Sequence, residues 1–144
     1  MSDPLTDFLT HAQQVPTYLD INLSEADTRV YLIDPVLHAL GYVSVGDIRR
    51  EVPVPATKEF LDYELYADGK AQAIVEAKAL RNAVTDQAAG QCVQYAAILG
   101  VRWCIITNGV AWVVYNAHAT GPLSEKKVAS VRMDGDEASL LAGC

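Results

Sequence analysis

Apolar residues recur at Val30, Ile33, Leu37 and Leu40 within "SEADTRVYLIDPVLHALG", a helical spacing that predicts one stripe buried along a helix. Ser24 is placed to cap its start, acids fill its first turn, and Gly41 stops it. Pro35 breaks the pattern, because an interior proline removes a hydrogen bond and should kink or split the helix. A short stretch ahead of it stops near Pro16. Three extended segments follow, "DIRREVPV", "LDYELYA" and "QAIVEAK". The Asp68-Gly69 turn between the last two predicts an antiparallel hairpin.

A second helix is predicted over residues 84–99, burying Val84, Ala88, Cys92, Tyr95 or Ala96, and Leu99. Its other side carries Gln87, Gln91 and Gln94, with Asp86 as the sole charge. A freely solvated face normally mixes Glu and Lys, so this face should turn toward something other than bulk water. "VRWCIITN" and "AWVVYN" read as two more strands joined at Asn108-Gly109, and the tail from Ala117 is weakly patterned, with one strand near "KKVASVRM". Helix, three strands, helix and two strands predict an α/β fold, a mixed β-sheet flanked by helices. The helix between the third and fourth strands acts as a crossover, so those two strands should be parallel.

With 144 residues, 51% hydrophobic and 20% charged, the chain is expected to form one globular domain over residues 1–144. No apolar run is long enough to span a bilayer, and "MSDPLTDFLT" lacks the basic and apolar segments of a secretory signal, so a cytoplasmic location without membrane association is expected. Cys92, Cys104 and Cys144 are odd in number and widely spaced, which predicts reduced, mostly buried thiols. A formal net charge of −7 repels nucleic acid overall. Any contact with it must use a local patch, for which Lys78, Arg81 and Lys58 are the basic candidates.

"IVEAKAL" places Glu76 and Lys78 on one face of an otherwise apolar strand. If the strands pair through Asp68-Gly69, residues whose numbers sum to about 138 lie opposite one another, and Asp62 falls beside Glu76. Two such carboxylates repel unless a divalent cation sits between them, and Mg²⁺ prefers oxygen ligands of this kind. Lys78 would then reach a water or phosphate held by the ion, an arrangement suited to phosphodiester hydrolysis. Gln91 and Tyr95, at i and i+4 on the second helix, are placed to contact a phosphate or orient Lys78. The plainer alternative is a ladder of charges on a half-solvated strand, although its apolar flanks argue against a free edge. Glu25 is either a further metal ligand or an acid placed for the helix dipole, with Arg29 four residues on as its salt-bridge partner. His11, His38 and His118 have no ligand spacing and read as surface or packing residues; Trp103 and Trp112 read as core. Neither a phosphate-cradling glycine loop nor a nucleophile elbow is present.

Taken together, "EADTRVYLIDPVLHALGY", "IRREVPV", "LDYELYADGKAQAIVEAKAL" and "QAAGQCVQYAAILGVRWCIITNGVAWVVYN" resemble the N-terminal nuclease domain of type I restriction enzyme R subunits, within the PD-(D/E)xK nuclease superfamily. The resemblance covers about residues 24–116. It implies a restriction-endonuclease-like fold and a Mg²⁺- or Mn²⁺-dependent endonuclease acting on DNA. Asp62 and Glu76 would be metal ligands, Lys78 the catalytic lysine, Gln91 with Tyr95 the QxxxY element, and Glu25 the acid of the first helix. Leu61 stands where the superfamily has its proline. No ATP-driven motor follows here, so ATP-dependent restriction is not expected of this polypeptide, and a stand-alone relative or a fragment is. The rival expectation is a non-catalytic binding module of the same fold in a defence complex with other restriction-modification subunits; a nuclease acting on RNA or branched DNA is a third. A lone small nuclease that cuts both strands would need to form a homodimer.

Overall fold

The computed structural model describes residues 4–134. It opens with helix α1 (Pro4–Gln14) and a 3₁₀ turn (Val15–Tyr18), where the sequence suggested only a short stretch. Phe8, His11 and Val15 face inward, and His11 Nε2 lies 3.1 Å from the Leu32 carbonyl. The single helix expected after Ser24 is three segments end to end: α2 (Glu25–Thr28), a π-turn (Arg29–Ile33) and α3 (Asp34–Ala39). Ser24 caps it by accepting from the Asp27 N–H. The wide turn, closed by the Asp34 N–H donating to the Arg29 carbonyl, opens just before Pro35, where an ordinary turn would lack a donor. It also rotates the face that follows. Leu32, Ile33, Val36 and Leu37 are therefore buried, whereas Val30 and Leu40, expected in the stripe, are each 57% exposed.

Six strands form one sheet in the order β1-β2-β3-β4-β5-β6: β1 (Ile48–Pro53), β2 (Phe60–Ala67), β3 (Lys70–Ala77), β4 (Trp103–Thr107), β5 (Ala111–Asn116) and β6 (Lys127–Arg132). Helix α4 (Asp86–Leu99) crosses from β3 to β4, and these two strands are parallel as expected; every other pair is antiparallel. Thr85 caps α4 and Gly100, at φ 71°, ends it. Gln87, Gln91 and Gln94 are exposed. A short helix α5 (Leu123–Lys126) precedes β6, the strand anticipated in the tail.

The β2–β3 turn has both Asp68 and Gly69 at positive φ, 54° and 75°, the pair of values that matches the twist of the flanking strands. Tyr63 lies opposite Val75 and Leu65 opposite Ala73 before a bulge shifts the register at Tyr66. The β4–β5 turn differs from the two-residue form that Asn108-Gly109 suggested. Only Gly109 has positive φ, and Asn108 Oδ1 closes the turn by accepting from the Val110 and Ala111 N–H groups. Gly109 is required there, because a Cβ would lie 2.7 Å from that of Leu32.

Each face of the sheet has its own core. Helices α1 and α3 cover Tyr63, Leu65, Val75 and Trp112; α4 covers Leu61, Ile74, Ile106 and Tyr115. Cys92 of α4 and Cys104 of β4 are fully buried in the second core, and there the expectation of reduced thiols is corrected: the two are joined as a disulfide, Cα–Cα 6.3 Å. Their distance in sequence hid a contact that arises where α4 packs back on the strand it leads into. Cys144 lies outside the described residues. Among the described residues no helix is long and apolar enough to cross a membrane.

Candidate functional site

The paired strands β2 and β3 continue past Tyr63–Val75 toward the C-terminal end of β3, which brings Asp62 beside Glu76. Asp62 is buried, and its Oδ2 accepts the Ala77 N–H at 2.7 Å, which pins the carboxylate to the neighbouring strand. Its side chain is also within hydrogen-bond reach of Glu76. Burial above all, then the hydrogen bond and charge of Asp62, push the Glu76 carboxyl up to about 9, with Glu25 adding to the shift and Lys78 opposing it. A proton is therefore held at this pair more firmly than on a carboxyl in water. Lys78 follows one residue after β3 ends, its N–H donating to the Thr107 carbonyl at 2.8 Å, so the parallel pairing with β4 fixes its backbone. The half-buried Lys78 side chain has no ion pair within 4 Å among the described residues and bears on Glu76 through its charge.

Helix α2 approaches this same end of the sheet, where Thr28 Oγ1 accepts the Leu80 N–H. Arg29 then reaches three acids: Glu51 Oε1 at 2.8 Å, Asp62 Oδ1 at 3.5 Å and Glu25 Oε1 at 3.8 Å. Glu25 thus stands behind the Arg29 guanidinium, near enough for its charge to act on Glu76. Among the described residues no three ligating side chains converge as a ready-made metal cage. From the other side, α4 supplies Gln91 and Tyr95, one turn apart, with Gln91 Nε2 donating to the Tyr95 hydroxyl at 2.6 Å. Burial, then the charges of Glu59 and Glu76, raise the Tyr95 phenol above its ordinary value, which places that hydroxyl in the field of the carboxylate pair.

Asp62, Glu76, Lys78, Gln91 and Tyr95 are therefore neighbours around one end of β3, with Glu25 at the margin. A profile described as "Type I restriction enzyme R protein N terminus" matches residues 24–128. The chain belongs to this family. The match runs beyond the resemblance seen in the sequence, taking in α5 and the start of β6. The R protein N-terminal fold also appears in the fragment structure of a protein assigned as an HsdR subunit of a type I restriction enzyme from Vibrio vulnificus YJ016, which aligns with 87% of this chain at a TM-score of 0.57 and 23% identity. That likeness speaks for the fold. The chain covers 26% of that structure's chain, about a quarter of its length. No curated protein matches the chain.

For this R protein N-terminal domain the sequence missed two participants at the site. Glu51 carries no motif; it enters because its backbone adopts φ 51° in the middle of β1, a conformation no pattern of charges announces. Arg29 was legible as a partner for Glu25 four residues away, but its longer reach to Glu51 and Asp62 depends on the π-turn that it opens.

Proposed function

We propose that this domain is a metal-dependent nuclease module that hydrolyses DNA phosphodiester bonds. The observation that carries the reading is the carboxyl pair Asp62–Glu76, Asp62 buried and Glu76 half-buried, with Lys78 beside it and in no ion pair among the described residues. The donor set fits a hard divalent cation: two carboxyl groups, oxygen only, side by side where burial and mutual repulsion raise the demand for positive charge. Mg²⁺ or Mn²⁺ held by Asp62 and Glu76 would supply charge stabilisation at the phosphoryl oxygens and an acidified water. The Ala77 N–H holds one oxygen of Asp62 and leaves the other for a ligand. Lys78 presents its ammonium to the attacking water or a non-bridging phosphate oxygen. The Tyr95 hydroxyl, held by Gln91, keeps its own proton available for the phosphate.

A second reading, a non-catalytic binding module working with other restriction-modification subunits, draws on Arg29, whose charge already compensates Asp62, and on the net charge of −7. Incubating plasmid and single-stranded DNA with Mg²⁺ or Mn²⁺ decides between them. Wild type should cut at least one substrate and Lys78→Ala none; cleavage by neither protein, or by both equally, would remove the nuclease reading.

A further inference from the structure

The contacts of Arg29 are graded in a way that a plain salt bridge would not need. Its nearest acid is Glu51 at 2.8 Å, not the buried Asp62 at 3.5 Å, although Asp62 is the more desolvated of the two. Glu51 reaches it from a backbone at φ 51°, a region that residues other than glycine rarely occupy. Ordinary strand pairing continues on both sides, Arg50 with Tyr63 and Val52 with Leu61, so the distortion is confined to the one residue that faces Arg29. Arg29 Nε is buried without a hydrogen-bond partner. The guanidinium is thus not seated where its own donors are best satisfied. It is seated among carboxylates. Glu25, Glu51 and Asp62 all lie within 4 Å of this one guanidinium, so the acids around it outnumber the positive charges that they share.

Resting on the metal-site reading above, we propose that Arg29 is a positioning residue for that site, a built-in cation that competes with the divalent ion for Asp62, and that Glu51 holds it partly aside. With Glu51 present, Arg29 compensates the acids yet leaves Asp62 Oδ1 beyond close hydrogen-bond distance. Without Glu51, the guanidinium is free to close on Asp62 and take the oxygen that the ion needs. Without Arg29, the ion meets an uncompensated pair.

Mn²⁺ binding in the absence of DNA, followed by calorimetric titration, tests this in wild type, Arg29→Gln, Arg29→Lys, Glu51→Gln and Asp62→Asn. Removing one positive charge at this distance should tighten Mn²⁺ by about tenfold in Arg29→Gln. Arg29→Lys should stay near wild type, and Glu51→Gln should bind several-fold more weakly. A merely structural Arg29 gives the opposite sign, weaker binding once the acids lose their support. Unchanged or weaker binding in Arg29→Gln, or unchanged binding in Glu51→Gln, overturns the proposal while leaving the metal site standing. Wild type that takes up no Mn²⁺ sensitive to Asp62→Asn overturns both. Glu51 is exposed, so its variant tests the idea even where Arg29→Gln does not fold.

Discussion

Strand β2 carries two buried acids two residues apart, and their surroundings differ in kind. Glu64, opposite Ile74, accepts the Tyr66 hydroxyl at 2.6 Å and has Arg49 at 3.7 Å. Asp62, nearer the open end, has another carboxyl as its close side-chain neighbour and Arg29 held off by Glu51. Both are almost inaccessible, at 5% and 7% exposure, so burial alone does not separate them. The partner does. Each acid has a guanidinium within 4 Å, so the difference lies in the other neighbour: an acid that accepts a hydroxyl is finished as structure, and an acid set against a second acid is left needing more positive charge.

The widest gap between the two should appear in catalysis. Lys78→Ala and Asp62→Asn should each lower metal-dependent DNA cleavage by about a thousandfold, the scale on which removing a charge-stabilising group acts. Glu64→Gln should leave it within about threefold, since it keeps the shape and one acceptor for Tyr66. Equal losses in gel-based rate measurements would erase the distinction. Metal should come next. Mg²⁺ or Mn²⁺ should raise the melting temperature of wild type and Glu64→Gln, by about 2.7 kcal/mol of added stability at a hundredfold excess over Kd, and do little for Asp62→Asn. A metal response that survives Asp62→Asn would place the ion elsewhere.

Without metal the order reverses. Glu64→Ala removes the acceptor of the Tyr66 hydroxyl and should cost about 1–2 kcal/mol, whereas Asp62→Asn, which removes a buried charge and can still accept the Ala77 N–H, should be neutral or slightly stabilising. Chemical denaturation of the three metal-free proteins makes the comparison. A pH dependence separates the two acids as well. Glu76 holds its proton up to about 9 when folded, against an ordinary 4.5, so between those values the native state binds more protons than the unfolded one. Its contribution is therefore full below 4.5 and drains away as pH rises toward 9. Glu76→Gln should flatten that slope, and a melting profile equally steep in the variant would show the proton sits on another group.

How much of this the sequence disclosed follows from which forces are local. The Asp68-Gly69 turn admits few geometries, and once it is placed, alternation carries the register to Asp62 and Glu76. The i, i+4 pair Gln91–Tyr95 needs only a regular helix. In the stripe Val30, Ile33, Leu37, Leu40 the middle two are buried as read and the two ends are not, because a π-turn interrupts the helix and periodicity assumes a constant pitch. Helix α1 had its signal in Phe8, His11 and Val15, spaced for one face, but a histidine in that face weakened it. Glu51 and the Cys92–Cys104 contact were out of reach, since one depends on a single backbone angle and the other on how α4 docks.

The order of the sheet bears on how the molecule is made. Each strand lies next to the one formed immediately before it, from β1 through β6, so no strand must wait for a distant segment before it finds an edge. Four of the five pairings close through short connections, and only the passage through α4 spans a longer loop. Ordering of this kind keeps loop-closure entropy small and favours rapid folding. A chain emerging from the ribosome can zip its sheet in the direction of synthesis, with the β2–β3 hairpin free to pair before the strands that follow α4 have emerged. The two acids at its open end would then meet before the last strands of the sheet are in place.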